Sequence, residues 1–173
     1  MRRDDEEYKG FVVARYRTLV RAAVLFGCSS QDAEDAVQDA LIKCYAAWPR
    51  VSAANDPDAY VYRVLVNGIT RGWRRKWRGE APHGEVPEPA PVDDPAVAVT
   101  VSHTVRAALA RLELEQRQVL VLRYFADLTE NQIAAILGIA QGTVKSRASR
   151  AIASLSTDTS LSELLFAPHE EDG

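Results

Sequence analysis

Residues 129–155 read TENQIAAILGIAQGTVKSRASRAIASL and predict two short helices joined by a tight turn. Thr129 followed three residues later by Gln132 makes a T-x-x-Q capping box, the pattern that starts many helices. Gly138 then permits the positive φ angle that a tight turn after a helix requires. Two helices joined by a short turn that contains glycine are typical of a helix-turn-helix, and an ordinary helical hairpin is the alternative.

The residue pattern predicts an apolar, inward side for both helices and a polar, basic outward side for the second. The positions expected to face inward are Ile133, Ala134 and Leu137 in the first helix, and Val144, Ala148, Ala151, Ile152 and Leu155 in the second. The exposed side carries Gln141, Lys145, Ser146, Ser149 and Arg150, with Thr143 and Arg147 toward its edge. A basic exposed helix after such a turn favours insertion into the major groove of DNA.

A second basic segment, RGWRRKWRGE at residues 71–80, holds five cations and two tryptophans. We predict that it ends a helix opened by Pro57 and running from Asp58 to about Arg78. At about 100° per residue, its core side carries Tyr62, Val66, Ile69, Trp73 and Trp77. A separate side carries Arg71, Arg74, Arg75 and Arg78, here called the arginine ridge, together with Tyr60 and Asn67. Such a ridge suits the repeated charges of a DNA backbone, and a solvated basic face is the alternative.

Two further helices are predicted before this one. The first runs from about Glu6 to Phe26, and the second follows a cap at Ser29 or Ser30 and stops before Pro49. The buried stripe of the second helix is expected to be Ala33, Val37, Ala40, Leu41, Cys44 and Trp48. Its outward face is acidic, with Asp32, Asp35, Gln38 and Asp39. A solvated face is one interpretation, and a surface for a basic protein partner is the other.

The chain of 173 residues divides into two units at a segment rich in proline and acid. Residues 80–99, EAPHGEVPEPAPVDDPAVAV, hold five prolines and five acidic residues and too few apolar residues for a core. The sequence therefore predicts an all-α protein with small helical domains at 1–79 and 100–157, a flexible linker between them, and a tail at 158–173. The tail is either frayed or a regulatory contact.

Several classes of function are not supported by the sequence. Cys28 and Cys44 are expected to be buried hydrophobes, and the three histidines form no metal or nucleophile pattern with them. We therefore expect no enzyme, no cofactor, no metal site and no small-molecule substrate. The N-terminus lacks a signal-peptide pattern and the best early apolar run is too short to span a bilayer, so we expect a cytoplasmic protein without membrane contact.

Three stretches together carry a resemblance to a known family. They are QDAEDAVQDALIKCYAAW (31–48), DAYVYRVLVNGITRGWRRKWR (58–78) and RQVLVLRYFADLTENQIAAILGIAQGTVKSRASRA (117–151). In this order they resemble the extracytoplasmic-function (ECF) sigma factors of bacterial RNA polymerase, the group 4 members of the sigma-70 family, particularly an actinobacterial branch. The resemblance implies a region 2 domain and a region 4 domain, without region 1.1 or region 3.

The resemblance also implies partners and residue roles. Core RNA polymerase, through its β′ and β subunits, promoter DNA and an anti-sigma factor would be the partners. Asp35, Gln38 and Asp39 would grip the β′ coiled coil. Asn67 would line the pocket for a flipped base of the −10 element, and the arginine ridge with Tyr60 would hold the surrounding strand. The helix from Gln141 would read the −35 element, with phosphate contacts from Lys145, Arg147 and Arg150.

The sequence departs from the family pattern at two positions that bear on promoter specificity. Position 71 is often acidic or amide in the family and is Arg71 here, and position 140 is commonly Ser and is Ala140 here. The competing hypothesis is a stand-alone, dimeric helix-turn-helix regulator, which would need neither the acidic face nor the second basic helix. An enzyme with an attached DNA-binding domain is a third and weaker interpretation.

Overall fold

The structure is a computed structural model and describes residues 3–79 and 103–158. In both ranges, apolar residues spaced three and four apart form helices. The helices are α1 (Arg3–Phe26), α2 (Ser30–Ala46), α3 (Trp48–Ser52), α4 (Pro57–Gly79), α5 (His103–Ala110), α6 (Leu114–Leu120), α7 (Glu130–Leu137) and α8 (Gln141–Ser156). The predicted all-α class is confirmed. The predicted linker at 80–99 and almost all of the tail lie outside the described residues. Within the described part of the chain, no helix is long and apolar enough to cross a membrane.

The first unit packs α2 between α1 and α4. All six residues of the predicted stripe are buried, but only five belong to α2, because Trp48 lies in the next helix. Ser29 is the N-cap, and its hydroxyl oxygen accepts a hydrogen bond of 3.1 Å from the backbone N–H of Asp32. The first helix begins at Arg3 rather than Glu6, so it carries a longer acidic first turn than expected. That turn lies at the positive end of the helix dipole, where carboxylates are stabilising.

The predicted stop of the second helix before Pro49 is confirmed, because α2 ends at Ala46. Pro49 lies in the first turn of the short helix α3, which the sequence did not predict. Proline is tolerated there because the first backbone N–H groups of a helix have no partner within the helix. The first residue of α3 is Trp48, and its buried ring has its centroid 5.1 Å from that of Tyr8 in an edge-on arrangement and 5.4 Å from that of Phe11.

The second unit is the helix-turn-helix with two helices before it, and α6 continues into a π-helical turn at Val121–Phe125. The capping box is confirmed, because Thr129 and Gln132 exchange both hydrogen bonds, and Gly138 ends α7 with φ of 67°. Ile152 is exposed rather than buried. The buried or half-buried stripe of α8 runs through positions 144, 148, 151 and 155, and position 152 lies about 100° away from position 151. Leu137 is only half-buried, and Ile136 takes the buried position beside it.

The two units pack directly against each other. α5 and α6 contact α1, and α7 contacts α4, so one cluster of buried apolar residues extends through both units. Arg117 lies at the centre of this contact. Its guanidinium donates within the second unit to the carbonyl oxygens of Leu109, Ala110 and Leu112, at 2.8 to 3.0 Å, and across to the carbonyl oxygen of Phe26 at 2.9 Å.

Candidate nucleic-acid interface

The arginine ridge forms a continuous exposed face on the C-terminal half of α4. Its four members, Arg71, Arg74, Arg75 and Arg78, recur at three and four residues and are all exposed. Asn67 is exposed one turn before Arg71, whereas Tyr60, two turns earlier, is half-buried. Guanidinium groups at this spacing can each reach a separate phosphate, which is the arrangement that a nucleic-acid backbone requires.

The core side of α4 differs from its prediction at the tryptophans. Tyr62, Val66 and Ile69 are buried as expected. Trp73 is half-buried and packs against the edge of the core, and the Trp77 side chain lies outside the described part of the structure. Trp73 is therefore not the fully buried side chain that the sequence predicted. It reaches the end of α1, where its ring lies 3.9 Å from the Cβ position of Gly27.

The outer face of α8 presents the second set of predicted residues. Gln141, Lys145, Ser146, Ser149 and Arg150 are exposed, and Thr143 and Arg147 are half-buried at the edge of that face. The N-cap is Ala140, in an extended conformation, and its methyl group has no hydrogen-bonding atom. The Gln141 amide instead donates to Asn131 in α7 at 2.8 Å, which fixes the start of α8 against its neighbour.

One acid lies close to the cations of this second face. Glu130 pairs with Arg123 at 3.2 Å and, more loosely, with Lys145 at 3.7 Å. Lys145 remains two-thirds exposed, so solvent screens this pair strongly and it contributes little to stability. Glu130 therefore orients Lys145 without burying its charge.

The acidic face of α2 contains Asp35, Gln38 and Asp39, and all three are exposed. The Asp35 carboxylate accepts a hydrogen bond of 3.1 Å from Gln31, one turn earlier in the same helix. This face is on the side of α2 opposite the core stripe. It can meet a cationic surface without any change in the packing of α2.

Two apolar residues beside this acidic face were not predicted from the sequence to take part in it. Ile42 is 66% exposed and Tyr45 is 51% exposed, and with Asp5, Tyr8 and Lys9 they line an open groove of about 420 Å³. Ile42 lies three residues after Asp39 and seven after Asp35, so a helical wheel of α2 would have placed it at the centre of the acidic face. An exposed apolar group among carboxylates is typical of a protein contact surface.

The two cysteines are buried thiols, as the sequence predicted. Burial raises the pKa of Cys28 to about 12 and that of Cys44 to about 11, so both are protonated at neutral pH. Because the thiolate is the reactive form, neither side chain is suited to nucleophilic chemistry. Among the described residues, the basic faces of α4 and α8 are suited to bind an anionic polymer, and the acidic face of α2 is suited to bind a cationic surface.

Comparison with known proteins agrees with this arrangement. Residues 11–79 match the family described as Sigma-70 region 2, and residues 102–155 match Sigma-70, region 4. The RNA polymerase sigma-E factor of Streptomyces coelicolor is 36% identical over 153 residues, covering 86% of this chain and 84% of that protein. The ECF RNA polymerase sigma factor SigM of Mycobacterium tuberculosis is 37% identical over 143 residues, covering 81% of this chain and 70% of that protein.

Two solved structures share the fold over most of the chain. The sigma factor RpoE of Bartonella quintana, in complex with the anti-sigma factor NepR, superposes with a TM-score of 0.70 at 25% identity, covering 87% of this chain and 95% of that chain. CnrH, in complex with the cytosolic domain of CnrY, superposes with a TM-score of 0.62 at the same identity, covering 95% of this chain and 90% of that chain. The chain thus belongs to the ECF sigma factors of the sigma-70 family.

Proposed function

We propose that this ECF sigma factor is a dissociable, non-enzymatic subunit that binds core RNA polymerase in the cytoplasm and directs it to promoters. The observation that carries this proposal is the presence, on one chain, of an acidic face on α2 and two basic faces on α4 and α8. An acidic surface would repel DNA, so it fits a protein partner, whereas the two basic faces fit DNA. A stand-alone regulator would use the basic faces only.

The arginine ridge on α4 is proposed to contact the −10 element. Its guanidinium groups would hold the phosphates of the separated strand, and exposed Asn67 would receive a base flipped out of the stack. An amide side chain suits that role because it both donates and accepts hydrogen bonds. Tyr60, farther along the same face, would stack on a neighbouring base.

The helix α8 is proposed to enter the major groove of the −35 element. Its exposed polar residues Gln141, Ser146 and Ser149 can reach base edges, while Lys145, Arg147 and Arg150 would contact phosphates. Thr143 would support this contact from the edge of the face. Residues 1–79 and 100–157 would thus be two recognition domains, and the segment between them would set their separation.

The acidic face of α2 is proposed to bind the β′ subunit of the polymerase, with the β subunit meeting the second domain. Exposed Ile42 would add an apolar contact at the centre of this surface. An anti-sigma factor is a further proposed partner, because one solved structure that shares the fold is a complex with an anti-sigma factor. Such a partner would compete with the polymerase for one of these faces.

Reversal of charge on the acidic face tests this proposal. Asp35→Arg combined with Asp39→Arg should abolish binding to core polymerase in a pull-down and abolish run-off transcription, while circular dichroism shows unchanged helicity. A control with Glu7→Arg and Glu115→Arg reverses two exposed carboxylates elsewhere and should bind normally. Undiminished polymerase binding by the folded Asp35/Asp39 variant would show that α2 does not carry the contact.

A further inference from the structure

The first residue of α8 is held in place by the helix before it. Gln141 lies at the first position of α8, and its side-chain nitrogen donates a hydrogen bond of 2.8 Å to the side-chain carbonyl oxygen of Asn131. Asn131 lies in the first turn of α7, and both side chains are exposed. The bond therefore joins the starts of the two helices on the solvent side, and it fixes the direction of the Gln141 amide.

The neighbouring residue of α7 acts on α8 in a similar way. Glu130 immediately precedes Asn131, and its carboxylate lies 3.7 Å from the ammonium nitrogen of Lys145. Lys145 comes four residues after Gln141, so the two side chains lie on the same face of α8. Two consecutive residues in the first turn of α7 thus each orient one side chain of the face that is proposed to meet the −35 element.

The Gln141 amide keeps hydrogen-bonding groups for a ligand after it has bonded to Asn131. It still has one N–H donor and its carbonyl oxygen, which lie side by side at the end of the side chain. In the major groove, adenine presents a donor at N6 beside an acceptor at N7, and a glutamine amide can bond to both. Guanine presents two acceptors, cytosine a donor and thymine an acceptor, so each satisfies only one of the two amide groups.

The serines of this face are less suited to select a base. The Ser146 hydroxyl donates to the carbonyl oxygen of Thr143 at 3.1 Å, within α8. Ser146 can then only accept a hydrogen bond, and one acceptor does not separate adenine from cytosine, because both present an amino group. Ser149 lies more than two turns along the helix, whereas recognition helices contact base edges with their N-terminal residues. Gln141 is at that end of α8.

A side chain that is already directed loses less freedom when it binds. Glutamine has one of the larger side-chain entropies, and the bond to Asn131 removes part of that freedom before DNA arrives. We propose that Gln141 reads one adenine of the −35 element, and that Asn131 is a positioning residue that strengthens this selection by holding the Gln141 amide in its reading direction. This inference rests on the proposed function.

The base preference at each position can be measured with holoenzyme formed from the full chain and core polymerase. The probe is a pool of promoter-length duplexes randomised at the −35 and −10 segments, selected by binding and sequenced. The unaltered protein should prefer adenine at one −35 position by roughly 10- to 100-fold. Gln141→Ala should lose the preference at that position alone. Gln141→Glu should prefer cytosine there, because a carboxylate accepts from the N4 amino group of cytosine.

Variants of Asn131 separate positioning from a general structural role. Asn131→Ala should reduce the adenine preference at the Gln141-dependent position by about 2- to 10-fold and leave the preferences at other positions unchanged. Asn131→Asp keeps an oxygen that accepts from Gln141, so it should retain the adenine preference, while its negative charge weakens binding to every duplex. Ser156→Ala, which removes an exposed hydroxyl at the far end of α8, should alter no preference.

A modified base tests the contact itself. Replacement of the selected adenine by 7-deazaadenine removes the N7 acceptor and keeps the N6 amino group. Binding of the unaltered holoenzyme should fall by roughly 3- to 10-fold, as expected for one lost hydrogen bond, and binding of the Gln141→Ala holoenzyme should not change. Because the unaltered chain is compared on two duplexes, this measurement remains decisive even if a substitution in α7 impairs folding.

Three results would overturn the inference. One is a Gln141→Ala variant that selects the same −35 sequence as the unaltered protein. The second is a Gln141-dependent position at which adenine is not preferred, or at which 7-deazaadenine binds as well as adenine. The third is an Asn131→Ala variant that loses affinity for all duplexes equally. An unaltered holoenzyme without any −35 preference would contradict the proposed function as well, so the two failures are distinguishable.

Discussion

Nη1 of Arg117 lies 2.6 Å from the position that a Cβ on Gly27 would occupy, so the guanidinium fills space that any other residue at position 27 would need. The two residues are 90 positions apart in the sequence and belong to different helical units. Gly138 is the matched comparison, because it too has a positive φ, of 67°, but a Cβ there would meet no atom of the described residues within 4 Å.

Gly27→Ala should therefore destabilise the protein more than Gly138→Ala does. The change at position 138 costs only the left-handed backbone strain of roughly 1 kcal/mol. The change at position 27 also carries a backbone penalty, because its φ angle is positive. In addition, the new methyl group would displace the Arg117 guanidinium from the Phe26 carbonyl oxygen. Urea unfolding of both variants measures the difference. Equal losses of stability in the two variants would mean that the Arg117 side chain moves aside without lowering the free energy of unfolding.

Trp73→Ala should reduce the free energy of unfolding by about 2 kcal/mol. A fully buried tryptophan would cost roughly 3–5 kcal/mol, and Trp73 is only half-buried against the core. Arg74→Ala, the neighbouring change on the exposed ridge, should stay within about 0.5 kcal/mol of the unaltered protein. Chemical denaturation measures both. If Trp73→Ala is as stable as the unaltered protein yet fails in promoter opening, the tryptophan belongs to the DNA surface.

Substitutions in α4 and α8 should produce different transcription defects. Arg150→Ala should weaken holoenzyme binding to duplex promoter. It should also reduce the slope of log K for that binding against the log of the salt concentration by about 1, as expected for one lost phosphate contact. Lys145→Ala should act in the same direction. Part of its effect should arise because the nearby Glu130 carboxylate then loses its pairing with Lys145. Binding assays over a range of salt concentrations measure both.

Asn67→Ala should leave duplex binding almost intact but impair strand opening, since a flipped base then lacks a pocket to offset its lost stacking, a few kcal/mol. A promoter with a pre-melted bubble should rescue Asn67→Ala and not Arg150→Ala, and permanganate footprinting on both templates reports this. Normal opening by Asn67→Ala, or rescue of Arg150→Ala by the bubble, would contradict the assigned division between the two helices.

Stability should fall as the pH rises above about 9. Burial raises the pKa of the Cys28 thiol from 9.0 to about 12, and that of Tyr62 from 10.0 to about 12. The unfolded chain therefore loses these protons first, so the stability from the protonated groups is complete below pH 9 and is lost as the pH rises toward 12. Each group can contribute up to about 1.4 kcal/mol per pH unit.

Cys28→Ala provides the check on this pH dependence. Urea unfolding between pH 8 and pH 11 should show a shallower loss of stability for the variant than for the unaltered chain. The comparison of slopes is informative even if the smaller side chain lowers stability equally at every pH. Identical slopes would show that Cys28 ionises as easily in the folded protein as in the unfolded one.

Local sequence patterns predicted those parts of the fold that depend on neighbouring residues. Thr129, Gln132 and Gly138 act on backbone groups within a few positions, so their roles could be inferred from spacing alone. The outward directions of the arginine ridge and the acidic face followed from helical periodicity in the same way. Pro49 marked the end of α2 correctly but did not reveal the start of α3, because proline suits both the chain after a helix and the first turn of a new one.

Contacts between the two units could not be predicted from such patterns. Arg117 was part of a quoted family motif, but its acceptor on Phe26 is 91 positions away and is a backbone atom that no side-chain pattern marks. The packing of α7 on α4 likewise joins two elements that are far apart in the sequence. A helical wheel gives the direction of a side chain but not the neighbour that covers it.

One cluster of buried apolar residues extends across α1, α4, α6 and α7, so we expect the described part of the free chain to unfold as one cooperative unit. A calorimetric scan should therefore show one melting transition, and a change near Phe26 should lower the melting temperature of the helix-turn-helix as well.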